Sequence, residues 1–329
     1  MKEQKYMSKE YTNCLRGIFA ILVVIHHLYQ YSGLLRGTYI GVILQLFGFI
    51  SVAMFFFFSG YGLMLSDSKK DYIKHFFSKR FLPLYCFYVF LIILYSIWTL
   101  LLEKSVSPIL ILQSFLFGST IVTNGWYLQT TFVAYLLYLL VFKYCKSPKM
   151  KILFFGVGIF IYCVICILFD LGINWYQTIP CMVLGMVYCL RKIYIDKLLK
   201  KYAWLVFILF SIAFAISFVL SAISGIKVIF DVLYSLFFVC AMVALSYILC
   251  NTSLIENNFT KLCGKYSLFI YVSHGLFLKL IKLEYIKNAY VYIFVVLVAT
   301  IISSIILKKV YAKIVLLIQR IQPFKKLSS

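Results

Sequence analysis

The chain has 329 residues, 64% of them apolar and only 13% charged, with a formal net charge of +22 and a mean hydropathy of +0.99. A soluble domain needs about a quarter of its residues charged to face water, so this composition excludes one and points to a single membrane domain without a separate soluble module. The positive charge would indicate nucleic acid in a soluble protein, but here it has to be read against the membrane first, and no nucleic-acid partner is expected.

Apolar stretches fall at about 15–35, 40–65, 81–102, 109–142, 152–169, 176–190, 203–224, 228–249, 266–283 and 289–307. In hydrocarbon the backbone must satisfy its own hydrogen bonds, so stretches of this length predict spanning helices. The fold expected is an all-α polytopic membrane protein of about ten transmembrane helices. With the N-terminus inside, the inner segments carry 26 Lys and Arg and the outer ones 6. That bias places both termini in the cytoplasm. The first apolar stretch is long and is expected to be retained rather than cleaved. Residues 308–329 form a basic amphipathic tail, with Ile314, Leu317, Ile318 and Ile321 at helical spacing, expected to lie along the membrane surface.

Polar residues inside apolar stretches are costly and therefore informative. In the first stretch, eleven residues separate Arg16 from His27. At 100° per residue that is within about 20° of three full turns, so both share one helix face. The rise of roughly 16 Å sets Arg16 at the cytoplasmic interface and His27 near mid-membrane. A neutral imidazole there could act as a general base toward a hydroxyl or as a proton relay; equally, it could bond a neighbouring helix. His26 points about 100° away.

The second stretch ends Phe55-Phe56-Phe57-Phe58-Ser59-Gly60-Tyr61-Gly62, where the glycines allow close helix approach and Ser59 could bond across helices. Next come Lys69, Lys70, Lys74, His75, Lys79 and Arg80, then Pro83 and Tyr85. Such a basic cluster at a helix start can hold phosphate, although the charge bias across the membrane accounts for much of it. Trp126-Tyr127-Leu128 opens a later span, where an aromatic belt is ordinary.

Ten cysteines are spread along the chain; Cys163 and Cys166 have redox or metal spacing, but with no His or acid nearby they read as packing thiols, and no metal site is expected. Asp231 is the one acid clearly within a span; it could orient a histidine but is better matched with Lys227 one turn away. The sequons at Asn251 and Asn258 fall in an inner loop and are read as chance. In the ninth stretch Tyr266-Ser267 leads to His274, roughly 12 Å in from its start and near His27 in depth, which raises the prospect of a shared polar cavity.

At these residues the sequence resembles the membrane acyltransferase-3 family. Arg16 and His27 resemble its opening pattern of an Arg followed after ten residues by His. The Phe-rich run to Ser59-Gly60-Tyr61 resembles its second-span motif. Arg80, Pro83 and Tyr85 resemble its Arg-x-x-Pro-x-Tyr entry to the third span, and Trp126-Tyr127-Leu128 and Tyr266-Ser267 through His274 resemble later patterns, all in the family's order. The resemblance implies a membrane-embedded O-acyltransferase that moves an acyl group, usually acetyl, from cytoplasmic acetyl-CoA to a hydroxyl of a surface carbohydrate or its lipid-linked precursor. It implies a multi-pass protein of the plasma membrane, of the bacterial inner-membrane type, with membrane lipids as neighbours and no permanently bound cofactor.

On that resemblance His27, Arg16 and His274 would be catalytic, with Arg80, Lys79 and Tyr85 on the CoA side and Ser59 and Trp126 on the acceptor side. Two departures stand out. Phe77 occupies the place where the family often has a second Arg, with Lys74 or Lys79 as candidate replacements. Gln129-Thr130-Thr131 stands where members acting on peptidoglycan-like acceptors carry a Glu, which argues against that subgroup. A transporter or flippase for a lipid-linked or small polar substrate is the rival reading; against it, only Asp231 is a clear buried charge.

Overall fold

The computed structural model describes residues 6–116, 118–250 and 252–321. It is 82% helical, with no strand among the described residues. The helices are α1 (Lys9–Ser32), α2 (Tyr39–Asp67), α3 (Tyr72–Phe76), α4 (Leu82–Glu103), α5 (Pro108–Phe115), α6 (Trp126–Tyr144), α7 (Pro148–Leu168), α8 (Pro180–Ile223), α9 (Lys227–Ile248), α10 (Asn258–Phe277) and α11 (Ala289–Ile321).

Helix ends follow local chemistry. Ser8 caps α1 by accepting from the Tyr11 N–H at 3.1 Å, and Gly33 (φ +71°) closes it with its N–H on the Tyr29 carbonyl. The helix thus starts six residues before the apolar stretch does, because the cap, not the hydropathy, sets its start. Thr38 caps α2 in the same way, through Gly41.

Among the described residues, seven segments are long and apolar enough to cross a membrane: α1, α2, Tyr72–Glu103, α7, Ile173–Ile223, α9 and the α11 segment Ala289–Arg320. The chain is therefore a multi-pass membrane protein. The ten-span reading rests on three further traversals, by α6, by α10 and by the second half of the 51-residue segment Ile173–Ile223. Where two separate spans and a loop at 191–202 are expected, α8 runs 44 residues and breaks its helical geometry only at Tyr202 (φ −132°, ψ 22°). A helix of that length reaches about 66 Å, twice a hydrocarbon core. The C-terminal end differs too: from residue 308 the chain continues α11 rather than starting a separate element, while 322–329 and the side chain of Ile321 lie outside the described residues.

The chain divides into two compact units, each discontinuous in sequence: residues Met1–Lys69 with Leu140–Ser267, and Lys70–Leu139 with Leu268–Ser329. In the first, α2 packs on α1 and α8, and α8 packs on α7 and α9. Lipid tails are as apolar as Leu, so close packing rather than hydrophobic exclusion must hold these helices. Three glycines show how close. A Cβ on Gly60 of α2 would lie 1.8 Å from the Met182 carbonyl oxygen of α8, and one on Gly185 would lie 2.0 Å from the Phe57 carbonyl oxygen. On α1, Gly17 crosses the first turns of α10 so tightly that a Cβ would lie 2.5 Å from the Gly264 nitrogen. In the second unit Tyr95 and Trp98 of α4 donate to the Val272 and Leu276 carbonyls of α10, and α4 also packs against α11.

Candidate active site

The first unit holds Arg16, His27 and Ser59. Helix α1 is unbroken from Lys9 to Ser32, so Arg16 and His27 do share the face their spacing predicts. Arg16 Nη2 donates to the Phe58 carbonyl at 3.2 Å, and its guanidinium carbon lies 5.6 Å from the centre of the Phe58 ring. Gly62 leaves the guanidinium its room: a Cβ there would sit 4.0 Å from Nη2. The first two motifs therefore meet at one point, Arg16 on the residue just before Ser59-Gly60. Ser59 does not reach across helices; its hydroxyl donates to the Phe55 carbonyl one turn back, at 2.8 Å.

The two adjacent histidines have different surroundings. His26 is buried, its Nδ1 3.0 Å from the Leu44 carbonyl oxygen and its ring laid over Gly48, where a Cβ would come within 2.5 Å of Nε2. It fills the α1–α2 crossing. His27 is half-buried, with Nδ1 3.0 Å from Gln30 Oε1. Gln30 in turn donates from Nε2 to Gln45 Oε1 at 3.4 Å, while Arg36 holds the Gln30 carbonyl at 2.8 Å. Gln30 turns its oxygen to His27 and its amide nitrogen to Gln45. An oxygen partner matches the tautomer with the proton on His27 Nδ1 and the lone pair on Nε2. This is how an orienting group prepares a histidine base.

The second unit holds Lys79, Arg80, Tyr85, Trp126 and His274. Residues Phe77–Phe81 form a π-helical turn, with the Leu82 N–H bonded to the Phe77 carbonyl five residues back. Pro83 accounts for it: a proline has no N–H for the carbonyl four residues earlier and its ring crowds that carbonyl, so the helix widens there. The widened turn presents Lys79 and Arg80 exposed. Tyr85 stacks on Phe81 with ring centres 6.0 Å apart and meets Phe132 edge-on at 5.5 Å. Lys74 is engaged with Asp71 at 2.6 Å, an ion pair that holds the Asp71 carboxyl below its ordinary value. Of the two candidate stand-ins for the arginine replaced by Phe77, Lys79 is the one on the π turn.

Trp126 begins α6 just after Asn124, which adopts left-handed backbone (φ +61°). That turn is held by three polar groups. Tyr271 donates to the Asn124 carbonyl at 3.1 Å, Asn124 Nδ2 lies 3.5 Å from His274 Nε2, and His274 Nδ1 lies 3.2 Å from the Ile270 carbonyl oxygen. His274 is fully buried. Its geometry suits a group that fixes the Trp126 turn. Gln129 adds to this by donating to the Ser114 and Leu116 carbonyls, while its own Oε1 is buried without a partner. Asp231 pairs with Lys227 at 2.8 Å and accepts from Ser221, as its spacing predicts, and Cys163 and Cys166 are free thiols in α7. Among the described residues no group of three or more His, Cys, Asp or Glu could hold a metal ion.

Sequence reasoning missed Gln30, Gln45 and Asn124. The three-residue step from His27 to Gln30 is a readable helix neighbour relation; Gln45 and Asn124 act across elements and left no local signal.

Compared with known proteins, the chain matches the family model of the acyltransferase-3 acyltransferase domain over residues 9–309. No curated protein and no solved structure matches it. The match runs from the first residue of α1 into α11 and takes in both units and every motif described above, so the chain belongs to the acyltransferase-3 family of membrane acyltransferases.

Proposed function

We propose that this acyltransferase moves an acetyl group from cytoplasmic acetyl-CoA to a hydroxyl of a surface carbohydrate or its lipid-linked precursor, with His27 as general base. The observation that carries the reading is the His27–Gln30–Gln45 chain, which supplies a half-buried imidazole with a defined lone pair on Nε2. That nitrogen takes the acceptor's proton as its oxygen attacks the thioester carbonyl carbon. The C–S bond then breaks, and the proton passes from His27 to the departing sulfur, leaving an O-acetyl ester and CoA thiol.

Arg16 holds α1 to α2 through Phe58 and so fixes the helix that carries the base. Lys79 and Arg80, exposed on the π turn, are assigned to the phosphates of CoA, and Tyr85, stacked on Phe81 at the end of that turn, to the same side. Ser59 and Trp126 are assigned to the acceptor side; the Ser59 hydroxyl keeps an acceptor lone pair after donating to Phe55. His274 positions the Trp126 turn rather than exchanging protons with substrate.

The experiment is transfer of label from radioactive acetyl-CoA into glycan in membrane vesicles of the host, its deletion strain and the complemented strain. Label that appears only where the protein is present supports the reading. Equal label in all three, with substrate moved unchanged across the vesicle wall, favours a transporter instead.

A further inference from the structure

The two ends of a side-chain amide are nearly alike in shape and differ in what they bond, one accepting and the other donating. Packing therefore does not decide which way Gln30 turns; its partners do. One partner is His27 Nδ1, 3.0 Å from Gln30 Oε1. A neutral imidazole suits either end of an amide, because its one proton can sit on either ring nitrogen. The other partner is Gln45 Oε1, which accepts from the Gln30 amide nitrogen at 3.4 Å. Gln45 thus makes the choice that His27 leaves open.

The crossing of α1 and α2 sets Gln45 at that point. The Leu44 carbonyl, one residue earlier, lies 3.0 Å from His26 Nδ1, and the His26 ring fills the space over Gly48, one turn later. The Gln45 side chain itself is exposed, and among the described residues it bonds only Gln30. It stands six residues after α2 begins at Tyr39, a rise of about 9 Å.

We infer that Gln45 is a positioning residue for acyl transfer: by offering an oxygen to Gln30 it fixes the direction of the amide relay, and with it the proton on His27. The inference rests on the reading of His27 as general base. The reverse relay bonds equally well. A donor at position 45 would take the Gln30 oxygen, and the Gln30 nitrogen would then donate to His27 Nδ1. The imidazole would stay neutral, but its proton would move to Nε2 and leave no base there.

The test changes what position 45 offers, using the full chain in membranes. Gln45→Glu, as a carboxylate, only accepts; Gln45→Lys only donates; Gln45→Met does neither. His27 is one of four histidines, so its ¹⁵N signals are assigned with His27→Gln. Gln45→Glu should keep the proton on Nδ1 and transfer label from acetyl-CoA as wild type does. Gln45→Lys should move the proton to Nε2 and lower kcat by about 10- to 100-fold with KM unchanged, and Gln45→Met should fall between them in both readings. A His27 that keeps its Nδ1 proton in Gln45→Lys, or an equal kcat loss in all three variants, would overturn the role of Gln45. Tautomers that follow the expected order while label transfer stays at the wild-type level would keep the relay and strike His27 as the base, so failure of the proposed function reads differently from failure of this inference.

Discussion

Replacing Gly60 with alanine puts a methyl carbon 1.8 Å from the Met182 carbonyl oxygen and 2.7 Å from its carbonyl carbon. Both are backbone atoms of α8, so no rotamer change relieves the clash. Restoring ordinary contact requires α2 and α8 to part by about 1.6 Å at that level. Overpacking of this kind costs roughly 1–3 kcal/mol, and backbone against backbone belongs at the upper end. The same displacement strains the 3.2 Å bond from Arg16 to Phe58, which sits two residues before Gly60. Gly62 lies in the same motif, but its added methyl would meet only Arg16 Nη2 at 4.0 Å. Heating the detergent-solubilised protein and measuring the monodisperse fraction by gel filtration should show Gly60→Ala melting lower by roughly 5–10 °C, and Gly62→Ala within about 1–2 °C of wild type. If the two variants melt alike, whether both as wild type or both destabilised, close packing at Gly60 is not what the motif supplies.

Three further outcomes follow from the same geometry. Gln30→Leu should reduce acyl transfer by about 10- to 100-fold with little change in KM, and histidine ¹⁵N solid-state NMR, assigned with His27→Gln, should show His27 Nδ1 losing its protonated signature. An unchanged tautomer would separate Gln30 from the base whatever the activity does. In the Asp231–Lys227 pair the acid is 1% exposed and the lysine 60%, so Lys227→Met should cost about 3 kcal/mol by stranding a buried carboxylate, and Asp231→Asn distinctly less; thermal melts that reverse this order would refute it. Neutralising the π turn with Lys79→Gln and Arg80→Gln should raise the KM for acetyl-CoA at least tenfold with a small change in kcat, and a pure kcat loss would move these residues out of donor binding.

How far the sequence could be read differs from one feature to the next. The Arg16–His27 face follows from helix geometry alone, because both residues lie on one element and 3.6 residues per turn relates them. The Asp231–Lys227 pair is legible for the same reason. Distances across helices are not: nothing local to Phe58 announces that its carbonyl receives Arg16, and nothing local to Gln45 announces its link to Gln30. Its place in an apolar span leaves Ser59 able to bond across helices or to its own, and a hydroxyl within reach of the carbonyl one turn back usually bonds there, as Ser59 does to Phe55. The long α8 was hidden because a charged run such as 191–201 resembles a loop in hydropathy, although Lys, Arg and Leu are good helix formers and keep the backbone helical through it. The π turn at Phe77–Phe81 could have been anticipated from Pro83, whose missing N–H has to be absorbed somewhere in the preceding turn.

The most direct test compares His27→Ala and His26→Ala at matched membrane abundance, scoring O-acetyl content of the host's surface glycans against wild type and a deletion strain. The account predicts that His27→Ala falls to the deletion level, while His26→Ala keeps turnover per folded molecule and loses stability instead. Acetylation by His27→Ala at the wild-type level would contradict the assignment of the base to α1.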